Sequence, residues 1–122
     1  MDEKKRAQGV ELFHDVYANS LGPVPPAGES AFYDYMLENL FGTLWADPTL
    51  SIRDKRLLLI GAVSALGDTN ILTIQLRSAL ARGEFTPEQL DHMALFMTQY
   101  VGYPRASALL MVIQQVKAAA AK

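Results

Sequence analysis

The sequence predicts an all-α fold made of six helices. Apolar residues recur at three- and four-residue spacing through most of the 122 residues, as expected for helices with one buried face. No segment alternates apolar and polar residues with the period of two that is typical of a strand. Half of the residues are hydrophobic, which is enough for a packed core. We therefore expect one domain over residues 1–122.

The first two predicted helices, residues 3–19 and 30–44, lie on either side of a proline-rich connector. In the first helix the apolar stripe is Val10, Phe13, Val16 and Tyr17. In the second, one side carries Phe32, Tyr35, Met36, Leu40 and Leu44. Residues 21–28 contain three prolines, which disfavour helix. They predict an extended connector rather than a domain boundary, because residues 1–20 are too few to form a core alone.

The third predicted helix begins at Ser51 and ends at Gly67. Ser51 and Asp54 have the spacing of a helix-capping pair. Residues 57–66 are apolar nearly all round the helix, which predicts a central position in the core.

Three further helices complete the prediction. The fourth covers residues 69–82, ends at Gly83 and directs Leu72, Leu76, Ala79 and Leu80 towards the core. The fifth begins at Thr86 with proline next and Gln89 third, a strong helix-start signal, and ends at Gly102. The sixth begins near Pro104 and continues into the alanine-rich tail.

The composition excludes several classes of function. The chain has no cysteine, so it can form no disulfide and has no thiol for redox chemistry or metal binding. Its net charge is −2, which argues against a nucleic-acid partner. Two histidines make a metal site unexpected. The longest apolar run, residues 57–66, is about half of the roughly 20 residues that a membrane helix needs. With no secretory signal, we expect a cytoplasmic protein.

An ordered set of short motifs resembles the carboxymuconolactone decarboxylase family, whose relatives include the alkylhydroperoxidase D-like proteins. No single motif is specific, but together they cover about residues 40–110. They are Phe41-Gly42-x-x-Trp45-x-x-Pro48-x-Leu50-Ser51, Arg53-x-Lys55-x-Leu57, Leu76-Arg77-x-Ala79 with Gly83, Thr86-x-x-Gln89-Leu90, and Tyr100-x-Gly102-x-Pro104-x-Ala106.

The resemblance implies an all-helical subunit that assembles into trimers or hexamers, with lactone-acid decarboxylation or thiol peroxidase chemistry. The catalytic residues of these relatives are not present at the matching positions of this sequence. The redox relatives' cysteine pair falls at Asp68 and Ile71, their histidine at Gln75 and their relay glutamate near Arg56. The decarboxylase glutamate and histidine fall at Ile71 and Gln75. Isoleucine exchanges no proton and glutamine does not titrate. The absence of cysteine excludes thiol peroxidase activity by this chain alone.

Seven residues remain as site candidates, each with a second interpretation. Asp68 and His14 are the candidates for a relocated catalytic base, but Asp68 also suits a helix N-cap and His14 a solvated helix face. The ligand-binding candidates also suit subunit contacts, loop anchoring or salt bridges: Gln75, Trp45, Arg53, Lys55 and Arg77.

Three functions remain open. One is a divergent, lyase-like enzyme that acts on a small anionic lactone or an aromatic-derived metabolite, without a cofactor. Another is a non-catalytic homo-oligomer, a trimer or hexamer, that binds a small ligand such as a carboxylate or a partner protein. The last is a subunit that shares its site with a catalytic relative.

Overall fold

The structure is a computed structural model that describes all residues from 1 to 122. It confirms the all-α fold class, with six helices and no strand. The helices are α1 (Glu3–Val16), α2 (Ala31–Tyr35, continued as a π-helix over Met36–Trp45), α3 (Ile52–Leu66), α4 (Thr69–Ala81), α5 (Pro87–Val101) and α6 (Tyr103–Ala120). The chain forms two compact units, Met1–Lys55 and Arg56–Lys122. The expectation of one domain over the whole chain stays a prediction.

The predicted helix ends are largely confirmed. The Asp54 amide donates to the Ser51 hydroxyl at 3.0 Å. At the start of α5, the Gln89 amide donates to the Thr86 hydroxyl while the Thr86 amide donates to the Gln89 side chain. Gly67, Gly83 and Gly102 all have positive φ, a conformation that glycine adopts without steric penalty. The helix ends therefore coincide with the local capping and glycine signals in the sequence.

The first helix is shorter than predicted. It ends at Val16, because Ala18 and Asn19 take positive φ values of 50° and 58°. The Asn19 amide then donates to the carbonyl of His14 at 2.8 Å. This left-handed turn satisfies carbonyls that the helix end leaves unpaired.

In the first unit, α1 packs closely against the π-helix. A Cβ atom on Gly9 would collide with the carbonyl oxygen of Leu37, and one on Gly42 would collide with that of Lys5. The two glycines therefore allow the backbones to meet. Around this crossing the buried apolar side chains are Phe13, Val16, Leu37, Phe41 and Trp45.

The predicted buried face of the second helix is wrong. Phe32, Tyr35 and Leu44 are exposed at 76%, 70% and 61%, whereas Leu37, Phe41 and Trp45 are buried. The π-helix has i to i+5 hydrogen bonds and a wider turn than an α-helix. The predicted stripe and the buried set have the same four-residue spacing, so spacing does not choose between them. The close backbone contacts at Gly9 and Gly42 place the side that carries Leu37, Phe41 and Trp45 against α1.

The proline-rich connector contains no helix or strand over residues 21–28 and is held by a buried arginine. Arg6 donates from Nε to Asp34 Oδ1 at 2.8 Å and from Nη2 to the Pro25 carbonyl at 2.8 Å. The other carboxylate oxygen of Asp34 accepts from the Gly28 amide at 3.1 Å. Arg6 and Asp34 thus fix the connector against the first unit.

The second unit has one hydrophobic core, built from α3, α4, α5 and α6. Its buried residues are Ile60, Val63, Leu72, Leu76, Ala79, Phe85, Leu90, Ala94, Leu109, Val112, Ile113 and Val116. On α4, Leu72, Leu76 and Ala79 are buried as predicted, and Leu80 packs partly buried against the core.

Within the single chain, α3 contributes to the core along one side only, so its predicted central position is not reached there. Leu57, Leu58 and Leu66 are exposed at 43%, 66% and 77%. Only one stripe of the helix, which includes Ile60 and Val63, is buried. The apolar residues on the remaining surface of α3 have no cover within the protomer. No helix in the chain is both long enough and apolar enough to cross a membrane.

Candidate functional site

The second unit contains a buried polar cluster of Arg56, Gln75, Arg82 and Glu84, called the Arg56 cluster below. Arg56 Nε donates to Glu84 Oε1 at 3.0 Å, and Arg56 Nη2 lies 3.4 Å from Glu84 Oε2. Arg56 Nη1 donates to Gln75 Oε1 at 2.6 Å. Arg82 Nη1 also donates to Glu84 Oε2. A single carboxylate therefore accepts from two guanidinium groups, one of which also holds the glutamine amide.

Helix ends and one tight turn bring the cluster together. Arg56 lies near the start of α3, and Gln75 lies on the buried face of α4. After α4, Gly83 turns the chain with a φ of 67°, and the Glu84 amide returns to the Ala79 carbonyl at 3.0 Å. This turn places the Glu84 carboxylate beside Arg56.

Three members of the cluster are buried, whereas the side chain of Arg82 is 23% exposed. The side chain of Arg56 is 0% exposed and that of Glu84 is 4% exposed, and Gln75 is 3% exposed as a residue. Every buried side-chain nitrogen and oxygen of the chain has a hydrogen-bond partner. Buried charges are tolerated in such an arrangement because each is paired and hydrogen-bonded.

The acid–base capacity of the Arg56 cluster is small. An arginine guanidinium does not give up its proton in proteins, and a glutamine amide has no titratable group. Glu84, the one carboxylate of the cluster, is held between two arginines. In the chain as a whole, no group of three or more His, Asp or Glu side chains could hold a metal ion.

Comparison with known protein families identifies the family of this chain. The model of the carboxymuconolactone decarboxylase family matches residues 30–115, which is more than half of the chain. This chain belongs to the carboxymuconolactone decarboxylase family. The match begins at the N-cap of α2 and ends within α6, and it confirms the resemblance seen in the sequence motifs. A search of curated proteins found no match.

Within this carboxymuconolactone decarboxylase family member, the Arg56 cluster involves two of the positions that the sequence resemblance singled out. The resemblance assigns the histidine position to Gln75 and the relay-glutamate position to the neighbourhood of Arg56. The structure brings these two side chains into direct hydrogen-bond contact. Ile71, at the glutamate position of the decarboxylase, lies one turn before Gln75 and is 38% exposed. A guanidinium, an amide and an alkyl group therefore stand at these three positions.

The other two candidates in the second unit also belong to α4, one at its N-terminus and one on its exposed side. Asp68 is its N-cap, and Asp68 Oδ1 accepts from the Ile71 amide at 3.0 Å, as the capping interpretation predicts. Arg77 lies two residues after Gln75 but is exposed. Because two residues turn an α-helix by about 200°, Gln75 and Arg77 face different sides. They do not form one site within this unit.

In the first unit, Lys55 and Trp45 are brought together at the end of the π-helix. Lys55 Nζ donates to three backbone carbonyls: Leu44 at 2.7 Å, Trp45 at 3.2 Å and Asp47 at 2.5 Å. Such contacts satisfy carbonyls that a helix terminus leaves unpaired. The Trp45 ring stacks on Phe41 with a centroid distance of 6.0 Å and is buried. Both residues therefore anchor the loop that follows the π-helix.

The remaining two candidates of the first unit have ordinary surroundings. Arg53 has a side chain that is 45% exposed and lies 3.9 Å from the Asp54 carboxylate. His14 is half-buried in the last turn of α1. The centroids of its ring and the Phe13 ring lie 5.5 Å apart in an edge-to-face arrangement. Neither contact forms an acid–base pair.

The loop between the π-helix and α3 contains Asp47, a carboxyl group with a lowered pKa. Hydrogen bonds from the Thr49 hydroxyl at 2.6 Å and from the Thr49 amide at 2.9 Å lower the pKa of Asp47, and the nearby Lys55 charge acts in the same direction. Asp47 is fully exposed, so the interaction organises a surface turn.

Sequence reasoning missed Glu84 and Arg82 as members of the buried cluster. A usable signal was present: Glu84 follows the C-terminus of α4, where the helix dipole disfavours a negative charge. A cationic partner stabilises a carboxylate in that position. The sequence does not identify Arg56 as that partner, because 28 residues separate the two.

Proposed function

We propose that this chain is a homo-oligomeric binding protein of the carboxymuconolactone decarboxylase family that does not catalyse decarboxylation at the family position. The observation that carries the proposal is the state of Gln75. Its side-chain oxygen accepts from Arg56 at 2.6 Å, and the residue is only 3% exposed. A substrate at this position would have to displace a fully buried guanidinium from its carboxylate.

The chemistry of the position supports the same conclusion. General acid–base catalysis needs a group that exchanges a proton near the working pH. Ile71, Gln75 and Arg56 provide none. Breaking up a buried, hydrogen-bonded ion pair to admit a ligand costs several kcal/mol. The Arg56 cluster is therefore better suited to holding α3 and α4 together than to turning over a substrate.

The exposed apolar surface supports self-assembly. Leu58 and Leu66 on α3 are exposed at 66% and 77%, and α5 exposes Leu95, Phe96 and Tyr100 at 64%, 55% and 74%. Large exposed apolar side chains in this number are typical of interaction surfaces. Closed symmetric assemblies are the usual form for soluble homo-oligomers. We propose a trimer or a hexamer.

The competing proposal is decarboxylation of a small anionic lactone or an aromatic-derived metabolite by a relocated base. Its candidates are Asp68 and His14. Asp68 Oδ1 already accepts the N-cap hydrogen bond of α4, and His14 packs against an aromatic ring. Neither has a second polar group placed to orient it as a base, so these contacts favour the non-catalytic proposal.

An activity assay separates the two proposals. Purified protein is incubated with a panel of lactone acids and β-keto acids, and carbon dioxide release is measured for the wild type and for Asp68→Asn, His14→Gln and Gln75→Ala. We expect no enzyme-dependent release from any of the four proteins. A wild-type rate that falls in Asp68→Asn or His14→Gln would overturn the proposal and favour the enzyme.

A mass measurement tests the assembly. Light scattering should give about three or six times the 13.4 kDa protomer mass. Leu58→Glu and Phe96→Glu, which place a charge on the exposed apolar surface, should lower that mass. Gln8→Glu adds the same charge at an exposed polar position of α1, outside that surface, and should leave the mass unchanged. A wild-type mass equal to one protomer would refute self-assembly.

A further inference from the structure

A groove with a volume of about 400 Å³ lies between α4 and α6 in the second unit. Its size falls in the range of small-molecule sites in proteins. Most of its wall is apolar and comes from both helices: Leu80, Ala81, Val116, Ala119 and Ala120. This surface can cover the hydrocarbon part of a ligand and remove it from water.

The polar groups of the groove are one cation and two neutral side chains. Arg77 and Gln115 line the groove, and neither makes a hydrogen bond or an ion pair within the chain. The Thr73 hydroxyl donates to the Thr69 carbonyl at 2.8 Å, which leaves its lone pairs as acceptors. No acidic residue lines the groove. The Arg77 guanidinium is therefore an unpaired positive charge beside an apolar surface.

From this arrangement we infer that the α4–α6 groove binds a small amphiphilic carboxylate, with its carboxylate on Arg77 and its apolar body between the helices. A guanidinium offers paired N–H donors whose geometry matches a carboxylate. The Gln115 amide provides a further donor at the other wall. The inference does not depend on the Arg56 cluster, because Gln75 and Arg77 face different sides of α4.

The number and spread of charges select the ligand class. A phosphate carries more negative charge than one guanidinium neutralises, and the groove has no second cation. A cationic ligand would meet Arg77 and find no carboxylate. A fully apolar ligand would leave the guanidinium unused. One carboxylate joined to a compact apolar body matches both features.

The test uses octanoate as the probe and the intact protein in its native assembly. Isothermal titration calorimetry should detect octanoate binding that Arg77→Gln weakens at least about tenfold, since a charge-assisted hydrogen bond is lost. Arg105→Gln is the matched control, because it removes another exposed arginine of the second unit that does not line the groove, and it should leave the affinity unchanged. Octylamine and 1-octanol, which share the alkyl chain, should bind at least about tenfold more weakly than octanoate.

A second variant and a mapping experiment locate the site. Ala81→Leu adds bulk at the groove wall and should weaken octanoate binding, while thermal unfolding checks that the protein remains folded. Amide chemical shifts on octanoate addition should change at Thr73, Arg77 and Gln115. The inference is overturned if octanoate does not bind, if Arg77→Gln leaves binding unchanged, if 1-octanol binds equally well, or if the shifts map to α5 instead. A loss of oligomer mass in Arg77→Gln would also overturn it, since the groove would then be a subunit contact. Carbon dioxide release in the activity panel tests only the proposed function, so the two can fail separately.

Discussion

Replacing Glu84 by glutamine removes the one negative charge of the Arg56 cluster and keeps the shape of the side chain. Arg56 then remains 0% exposed, with an amide where its carboxylate partner was. Removing one partner of a buried ion pair typically destabilises a protein by about 3–5 kcal/mol, because the remaining charge is left uncompensated. Proteins of this size have a total stability of about 5–15 kcal/mol. The substitution should therefore remove a large share of it.

The expected shift in melting temperature follows from chain length. With 122 residues, the unfolding entropy is about 0.26 kcal/mol/K. A loss of about 3 kcal/mol then lowers the melting temperature by about 12 °C. Arg56→Met should be similarly destabilising, because Glu84 would remain buried beside Arg82 alone. The Arg56→Met/Glu84→Gln double variant should lose less than the two single losses added together, by about 1 kcal/mol or more.

Calorimetry and urea unfolding, both at one fixed protomer concentration, measure these effects. The matched control is Glu88→Gln, which makes the same chemical change at an exposed residue in the first turn of α5. It should change stability by no more than about 0.5 kcal/mol. If Glu84→Gln were as stable as this control, or if the effects of the two cluster variants were additive, the reasoning on the Arg56 cluster would be refuted.

Three further substitutions test the local structure. Gly9→Ala should destabilise the first unit by several kcal/mol, because its Cβ would collide with a carbonyl of the π-helix. Gly61→Ala, where a Cβ meets open space, should stabilise α3 by up to about 1 kcal/mol. Equal melting temperatures for the two variants would contradict this. Thr86→Ala should cost about 1 kcal/mol in urea unfolding through loss of the capping box at α5; an unchanged midpoint would show that the cap is dispensable. Because hydrogen bonds from the Thr49 hydroxyl and then its amide lower the pKa of Asp47, the wild type should be more stable than Asp47→Asn above about pH 4. That advantage should be lost as the pH falls through the lowered folded-state pKa. Urea unfolding of both proteins over a pH series from 7 downwards measures it, and equal stability at pH 7 or an advantage that grows in acid would contradict the prediction.

Burial was harder to predict from sequence than helix position. The Thr86 and Ser51 caps and the glycine ends involve residues within about four positions of each other, so the sequence contains the complete interaction. The predicted buried face of the second helix was wrong because the face depends on which side of the helix meets α1. Close contact with α1 at Gly9 and Gly42 selects Leu37, Phe41 and Trp45, although the exposed stripe has the same four-residue spacing.

The sequence predicted only part of the candidate site, because the rest depends on contacts between residues far apart in the chain. The sequence motifs located Gln75 and the neighbourhood of Arg56 through the family resemblance, and they established that no acid–base pair remains there. They could not reveal that Glu84 is the partner of Arg56, or that Gln75 and Arg77 face different environments.

The sequence by itself determined the helix count, most helix ends, the family and the absence of thiol chemistry. Each of these depends on residue identity or on neighbours along one turn. Only the tertiary structure decided which apolar faces are covered within the protomer and that Arg56, Gln75 and Glu84 form a buried cluster. It also decided that Arg77 remains unpaired beside a groove. These outcomes depend on contacts between residues far apart in the chain, whose energies are set by burial and by the partners that packing brings within reach.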